Sequence, residues 1–280
     1  MLEIRVKLER LVAVLVLAIG LFWIAAAVSA GPAQEPPKNK LRTPVIVELF
    51  TSEGCSSCPP ADALLARLDA QQPVAGAEII ALEEHVDYWD QLGWRDPFSS
   101  PAWTERQNSY AQAFRSGSIY TPQMVVNGST EFVGSRAQQG GQAIEAAARQ
   151  ATSTLSLTAV PVPGKRAAEV TVTVVNLDGA RPNDQPEVWL AVTETGLHTA
   201  VKGGENSGVD LHHAAVVRKL QRLGSAAAKA GPAAAAMPVF PSVKVSLDSD
   251  WKRENLRIVA FVQERHSLRI IGAAQTPLGN

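Results

Sequence analysis

The sequence has only two cysteines among its 280 residues, and they lie three positions apart, at Cys55 and Cys58. A bond between them closes a very short loop, so it removes little conformational entropy from the unfolded chain. This scarcity excludes a disulfide framework, and it also excludes a zinc site built from two Cys pairs. We therefore interpret the pair as redox-active, with metal binding and an inert disulfide as the alternatives.

The sequence also lacks an excess of charge of either sign. Lysine and arginine number 26 against 27 aspartates and glutamates, which gives a formal net charge of −1 at pH 7. The chain therefore has no basic footprint for nucleic acid. It has neither a glycine-rich phosphate loop nor a dinucleotide fingerprint, so we predict no organic cofactor. No metal site is assigned from the sequence.

The first thirty residues are predicted to be a targeting segment rather than part of the fold. Met1–Arg10 carries three basic residues, and Leu11–Val28 has no charged residue. Val28-Ser29-Ala30 then offers small side chains at the signal-peptidase positions. This layout predicts a secretory signal peptide, or a membrane anchor through residues 11–28 if it is not cleaved. Either form predicts a periplasmic or secreted protein, and residues 31–43 are predicted to be a flexible leader.

Residues 44–151 show the pattern of an α/β domain. Apolar runs with β-branched residues indicate buried strands, and paired prolines after the first run indicate the start of a helix. Asn127-Gly128 is a strong hairpin signal. The predicted strands are Pro44–Phe50, Ala77–Leu82, Pro122–Val126 and Thr130–Val133, and the predicted helices are Ala61–Ala70, after Pro59 and Pro60, and Gln142–Gln150.

Residues 152–280 change to strict alternation of apolar and polar side chains. A period of two indicates strands with one buried face. We therefore predict an antiparallel, sandwich-like β domain of about six strands. A helix over His212–Leu223 is considered, and Ser225–Ala236 is interpreted as a loop. The alternating segments are Glu169–Leu177, Val188–Thr195, Val243–Leu247, Leu256–Val262 and a returning segment, Ser267–Ala273.

Cys55-Ser56-Ser57-Cys58 lies between a predicted buried strand and a predicted helix start. The N-terminus of a helix carries partial positive charge and free N–H groups, which favour a thiolate. We expect Cys55, the outer residue, to be exposed to solvent and to act as the attacking thiolate. Cys58, one helical turn further on, is expected to be more buried and to resolve the mixed disulfide.

Tyr120-Thr121-Pro122 and the strand that follows it resemble the cis-proline strand of thioredoxins. The resemblance implies a cis bond between Thr121 and Pro122, and it implies a proline that packs beside the cysteine pair. By the same resemblance, Thr121 and Pro122 bind the substrate, with the backbone of Thr121 contacting the substrate chain.

Several segments resemble the hallmark segments of a family of exported bacterial proteins that is catalogued as a domain of unknown function, DUF1223. They are Val47–Asp62, His85–Pro97, Tyr120–Gly128 and, in the second domain, Gly204–Gly208 with Leu211, His213 and Val216–Arg218. The resemblance covers most of residues 44–275. It implies a thioredoxin-like fold for the first domain and export, but no established reaction. His212 stands where an arginine is expected, which weakens any function assigned to that loop.

The segment of about residues 87–115 is an aromatic-rich insertion relative to a minimal thioredoxin. It could pack a small core of its own, because aromatic side chains dominate core burial. It could instead form a lid or platform over the cysteine pair that selects substrates. Its aromatic residues are Tyr88, Trp89, Trp94, Phe98, Trp103, Tyr110 and Phe114.

Other polar residues are considered as modulators of the cysteine pair. Glu48, within an apolar strand, is either a buried proton acceptor or an outward-facing residue. His85 could modulate the cysteines or ligate a metal, or it is a hydrogen-bonded structural histidine. Glu53 is interpreted as a solvated loop residue, and His212 and His213 would point to opposite faces of a strand.

The function favoured by these patterns is thiol–disulfide exchange with protein substrates or small thiol and disulfide substrates. One alternative is a copper-binding protein or chaperone, in which the two thiolates and His85 hold Cu(I). Another alternative is a redox switch on an envelope interaction module whose functional part is the β domain.

Overall fold

The structure is a computed structural model, and it describes residues 42–150, 152–226 and 238–279. The predicted signal peptide or anchor, nearly all of the predicted leader and most of the predicted loop at 225–236 lie outside the described residues. Among the residues that the structure describes, no helix combines the length and the apolar character needed to cross a membrane.

The first part of the described chain alternates strands and helices, as the sequence predicts. Its elements are β1 (Thr43–Thr51), α1 (Pro59–Gln71), β2 (Ala77–His85), α2 (Pro101–Phe114), β3 (Gln123–Val126), β4 (Thr130–Val133) and α3 (Ala137–Ala148). Strand β2 runs three residues beyond the predicted Leu82, so it carries Glu83 and His85. The aromatic-rich segment contains a helix that was not predicted. Its start is set by Ser100, whose side chain accepts from the N–H of Ala102.

The second part of the chain is almost entirely β-structure. Its elements are β5 (Leu155–Pro161), β6 (Ala167–Val174), β7 (Pro186–Glu194), β8 (Leu197–Ala200), β9 (Asp210–His213), β10 (Val216–Ser225), β11 (Val239–Ser246), a 3₁₀ turn (Arg253–Asn255), β12 (Leu256–Glu264) and β13 (Ile270–Pro277). The helix considered over His212–Leu223 is wrong. Most of these residues form β10, because Val216 pairs with strands on both of its sides.

The two parts of the chain share one mixed sheet of eight strands in the order β13-β12-β7-β10-β2-β1-β3-β4. Strands β1 and β2 are parallel and end side by side, with Thr51 opposite His85. The two parts join where Val216 of β10 lies parallel to Glu83 of β2. The boundary near residue 151 therefore marks a change from α/β to antiparallel structure within one sheet. Two smaller sheets are β11-β6-β5 and the ribbon β8-β9.

Both faces of the large sheet are covered, which explains the continuous apolar runs of its central strands. Val47 and Leu49 of β1 pack towards α1 and α3, whereas Ile46 and Phe50 pack towards α2 on the opposite face. At the antiparallel end, β7 and β12 pack against the three-stranded sheet around Val172. This end of the molecule is therefore sandwich-like.

Glu48 is completely buried on the face of β1 that α2 covers, so the interpretation as an outward-facing residue is wrong. The Nε of Arg106 and the hydroxyl of Tyr110 each donate to its carboxylate at 2.5 Å. Burial and the charge of Glu48 raise the pKa of the neighbouring Glu84 well above its usual range, in spite of Arg106. The Arg106 guanidinium is therefore the cation that balances Glu48 inside the fold.

Replacing Arg106 with leucine should lower the free energy of unfolding by about 3–5 kcal/mol, because it leaves the Glu48 carboxylate buried without a partner. Urea denaturation measures the loss. The matched control is Arg149→Leu, which breaks an exposed ion pair with Glu145 on α3 and should change stability little. Equal losses in the two variants would show that the buried pair has no special role.

Candidate functional site

The two cysteines lie in the turn that joins β1 to α1. They form a disulfide, and Cys58 caps the N-terminus of α1. Its carbonyl accepts the N–H groups of Ala61 and Asp62 at 2.8 and 3.1 Å. Pro59 and Pro60 fill the first helical positions, where a missing N–H costs no hydrogen bond. The disulfide therefore lies at the positive end of a helix of 13 residues.

Both cysteine side chains are completely buried, which corrects the expectation that Cys55 is exposed. The loop between β8 and β9 lies against the turn that carries them, and we call its residues 203–208 the covering loop. Within it, Nδ2 of Asn206 donates to the carbonyls of Glu53 and Cys55 at 2.8 and 3.0 Å. The cysteine turn is thus contacted by a segment about 150 residues away in the sequence.

A second contact fixes the covering loop to the cysteine turn. One carboxylate oxygen of Glu205 accepts from the N–H and the hydroxyl of Ser56, at 3.1 and 2.6 Å. These hydrogen bonds lower the pKa of Glu205. On its other side the loop packs so closely on the aromatic-rich segment that a Cβ at Gly203 would lie 2.5 Å from the carbonyl oxygen of Gly93. The loop is therefore held between two parts of the first half of the chain.

Thr121 and Pro122 lie beside the first turn of α1, and the bond between them is cis, as the resemblance implies. A Cβ built on Gly134 would lie 3.3 Å from Pro122 Cβ and 3.1 Å from Ala61 Cβ, which places the proline next to α1. The indole N–H of Trp89 donates to the Thr121 hydroxyl at 2.8 Å. The two residues predicted to bind substrate are therefore close to the cysteine turn.

The aromatic-rich segment has two roles. Trp103 and Tyr110 pack into the core that α2 shares with the large sheet, so the segment does not rely on a separate core of its own. Trp89 lies against the cysteine turn at Gly54. A Cβ built on this glycine would lie 3.1 Å from the Cβ of Trp89. Trp94 donates its indole N–H to Glu53 at 2.8 Å. Part of the segment thus borders the cysteine turn.

Glu53 is completely buried, and its interpretation as a solvated loop residue is wrong. Besides Trp94, its carboxylate contacts Nε2 of His213 at 3.2 Å. Its backbone N–H donates to Asp96 at 2.8 Å. The residue is buried where two distant regions of the chain, around residues 94–96 and 206–213, close around it.

The ends of β2 and β9 bring a buried carboxylate and a buried imidazole together next to Glu53. Nδ1 of His213 lies 2.8 Å from one oxygen of Glu83, and the N–H of Ala214 donates to the other oxygen at 2.8 Å. Burial raises the pKa of Glu83, but the imidazoles of His213 and His85 together outweigh this and lower it to about 2. Burial lowers the pKa of His213, but Glu83 and Glu53 raise it to about 9.

His85 is a buried, hydrogen-bonded histidine in the same cluster. Its Nδ1 lies 2.7 Å from Asp96 Oδ2, and its Nε2 lies 3.5 Å from Glu83 Oε1. Burial lowers its pKa, but the Asp96 carboxylate and then Glu83 raise it well above the usual range. This cluster offers three possible metal-ligating atoms, one each from Glu83, His85 and His213. The three atoms lie within 4.8 Å of one another, a spacing that could hold a metal ion.

Asp62 is a buried carboxyl one helical turn after Cys58 on α1. The hydroxyl of Thr51 donates to it at 2.6 Å. Burial raises its pKa to about 7, and the Glu83 carboxylate adds to this rise against the lowering by His213. The group therefore changes its charge near neutral pH.

The sequence predicts that His212 and His213 point to opposite faces of their strand, and the structure confirms this. Several other residues of this cluster were not predicted from the sequence. The missed residues are Asp62, Glu83, Asp96 and Asn206. A Glu-Glu-His run at the end of an apolar strand was the available signal for Glu83, because charges that follow a buried strand must find partners. No local signal marks Asn206 as a partner of the cysteine turn.

Asp62→Asn should change the pH dependence of stability. Between the ordinary pKa of 3.8 and about 7, the folded protein keeps a proton on Asp62 that the unfolded chain has released. The stability contributed by this group is therefore present below about pH 4 and lost as the pH rises towards 7. Relative to the wild type, the variant should become more stable over this range in denaturation curves recorded at a series of pH values. Parallel curves would contradict the raised pKa.

The comparisons with known proteins show the family but no activity. No curated protein matches the chain. A protein of known structure from Agrobacterium tumefaciens is 26% identical, with a TM-score of 0.59 over 85% of this chain and 96% of that chain. A domain of the outer membrane lipoprotein Omp28 from Porphyromonas gingivalis is 14% identical over 46% of this chain and 89% of that chain, with a TM-score of only 0.28. The family model described as "Protein of unknown function (DUF1223)" matches residues 46–263, and because this match covers well over half of the sequence, the chain belongs to the DUF1223 family.

Proposed function

We propose that this protein carries out thiol–disulfide exchange through Cys55 and Cys58, in the periplasm or outside the cell. The observation that carries the proposal is the position of the disulfide, which follows a buried strand and occupies the N-terminus of α1. A helix N-terminus stabilises a thiolate there. The predicted signal segment supports a compartment in which such a pair can cycle between its oxidised and reduced forms.

The proposal includes a thioredoxin-like fold for residues 44–151. It is supported by the order of β1, α1, β2, the β3–β4 hairpin and α3, and by the parallel pairing of β1 with β2. The position of Pro122 beside the first turn of α1 also supports it. In this fold the insertion at 87–115 supplies α2 and the tryptophans that border the cysteine turn.

The exchange proceeds in two balanced steps. In the reduced protein, the Cys55 thiolate attacks a substrate disulfide, so a bond forms between protein and substrate and one substrate sulfur leaves as a thiolate. The Cys58 thiolate then attacks the Cys55 sulfur, which restores the internal disulfide and releases the second substrate thiolate. Two electrons pass from the protein to the substrate, and the reverse sequence oxidises a substrate dithiol.

Asp62 is the group that we assign to accept the proton of Cys58 during the second step. It follows the N-cap residue Cys58 by four positions, and its backbone N–H donates to the Cys58 carbonyl at 3.1 Å, which places it one turn along the helix from the cysteine. Its pKa of about 7 allows it to take up and release a proton near neutral pH. Thr51 orients the carboxyl by its hydrogen bond.

We assign the substrate to the region where the cysteine turn meets the Thr121–Pro122 segment. Because both cysteines are completely buried, the covering loop must move before a protein or small disulfide can reach the sulfurs. The Thr121 backbone and Pro122 then border the bound substrate. The hydrogen bonds made by Glu205 and Asn206 are the contacts that such a movement breaks. We therefore expect these residues to limit the rate of access.

The copper alternative has less support. Among the described residues, the group of His, Cys, Asp and Glu with metal-holding spacing consists of Glu83, His85 and His213 and contains neither cysteine. The Nδ1 atom of His85 is hydrogen-bonded to the carboxylate of Asp96. The Nε2 atom of His85 faces Oε1 of Glu83 at 3.5 Å. No observation favours the interaction module over exchange chemistry.

Trapping experiments test the proposed exchange. A Cys58→Ser variant keeps the attacking thiol but cannot resolve the intermediate, so it should accumulate mixed disulfides with natural partners. Non-reducing gels and mass spectrometry of the trapped bands measure this. The matched control, Cys55→Ser, should trap few partners. The opposite pattern would reverse the two roles, and no trapping in either variant would contradict exchange chemistry.

The role of the covering loop is tested by the rate at which iodoacetamide alkylates the reduced protein. Glu205→Ala removes the acceptor of two hydrogen bonds to Ser56, each of about 0.5–1.5 kcal/mol. Alkylation of Cys55 should therefore become roughly tenfold faster, because the loop opens more often. Glu145→Ala, at an exposed position on α3, is the control and should leave the rate unchanged. An unchanged rate in Glu205→Ala would mean that the loop does not limit access.

A further inference from the structure

The proposed exchange chemistry leaves Glu83, His85 and His213 without a role. All three side chains lie in the interior of the fold, and none of the residues is more than 4% exposed. Two imidazoles and one carboxylate form a donor set that binds divalent transition-metal ions in many proteins. Burial of such a set is costly unless its polar atoms have partners.

The strongest sign that a ligand belongs here is the Nε2 atom of His85. This atom is buried and makes no hydrogen bond to any residue that the structure describes. It faces Glu83 Oε1 at 3.5 Å, which is too long for a hydrogen bond. A metal ion bound to both atoms would lie to one side of the line that joins them, because neighbouring ligands of one ion are separated by about this distance.

Two of the distances between the donor atoms are close to those of a metal site, and all three donor atoms lie within 4.8 Å of one another. Bonds of about 2.0–2.2 Å from zinc to His nitrogen and carboxylate oxygen place neighbouring donors of a tetrahedral site about 3.4 Å apart. The distance from His85 Nε2 to Glu83 Oε1 is 3.5 Å, and that from His213 Nδ1 to Glu83 Oε1 is 2.8 Å. The second distance needs to lengthen by only about half an ångström, as the ion replaces the proton in that hydrogen bond.

The outer contacts of the two histidines are those of metal ligands. Ligating histidines almost always give their other ring nitrogen to a carboxylate or carbonyl, which fixes the tautomer and the ring orientation. His85 gives its Nδ1 to Asp96 at 2.7 Å, and His213 gives its Nε2 to Glu53 at 3.2 Å. Asp96 is itself fixed, because it accepts the backbone N–H of Glu53 at 2.8 Å.

We propose that Glu83 Oε1, His85 Nε2 and His213 Nδ1 form a binding site for one divalent transition-metal ion of the zinc class. The second oxygen of Glu83 is held by the N–H of Ala214, so the carboxylate binds through one oxygen. The ring of Phe98 packs edge-on against both imidazoles at 5.4 and 5.5 Å and supplies an apolar wall. Three protein donors leave the fourth tetrahedral position open to a water or another small ligand.

The site is independent of the cysteines, so its test uses the purified, untagged protein in its disulfide form after treatment with chelator. Cobalt(II) chloride is the probe, because its visible spectrum reports the coordination. The wild type should bind one equivalent with the intense bands of tetrahedral cobalt and without a thiolate charge-transfer band. The double variant Cys55→Ser/Cys58→Ser should bind it equally well. A wild type that binds no stoichiometric cobalt overturns the proposal.

Matched variants identify the ligands. His85→Gln and His213→Gln should abolish the spectrum, and Asp96→Asn should weaken binding about 10–100-fold through its contact with His85. The control is His198→Gln/His212→Gln, which removes the exposed imidazoles beside Asp210 and should leave binding intact. Loss of binding in this control, or its retention in His85→Gln, would place the metal elsewhere. If a buried variant fails to fold, the control and the cysteine double variant still decide the outcome.

Discussion

The structure depends on the way in which Glu83 joins the two parts of the chain. Its backbone N–H donates to the carbonyl of Ala215 at 2.9 Å, and its carboxylate binds His213 and the N–H of Ala214. A single residue at the end of β2 thus makes both the main-chain and the side-chain contacts that dock β10 and the β8–β9 ribbon. The imidazole of His213 balances the charge of Glu83, so removal of either side chain would leave a buried group without its partner.

The two faces of the large sheet balance their buried charges in different ways. On the α2 face, a guanidinium from Arg106 binds Glu48 directly. On the face of α1, the buried carboxylates of Glu53 and Glu83 are paired with imidazoles, and no arginine among the described residues forms an ion pair with them. An arginine keeps its charge at every physiological pH, whereas an imidazole can release a proton or bind a metal ion. The carboxylates nearest the cysteine turn are therefore paired with a group whose charge can change, whereas Asp69, further along α1, is paired with Arg257.

The sequence was sufficient for elements whose signals are local. Strand β1 follows from a β-branched run, α1 from its paired prolines and the β3–β4 hairpin from Asn127-Gly128. The eight-stranded sheet was not predictable in this way, because β2 and β10 are joined by few paired residues that lie far apart in the sequence. The burial of Cys55 was missed for the same reason, since Asn206 lies 151 residues away from it. Glu53 was misplaced because a charged loop residue is usually solvated, and its partners come from distant segments.

One element connects access to the cysteines with the charge of the buried cluster. The β8–β9 ribbon carries the covering loop at its tip and His213 at its base, and the bond from the N–H of Gly208 to the carbonyl of Val201 closes the tip at 2.8 Å. The ribbon therefore contacts the cysteine turn through Asn206 and the buried cluster through His213, so it ties the second part of the chain to the first at two places.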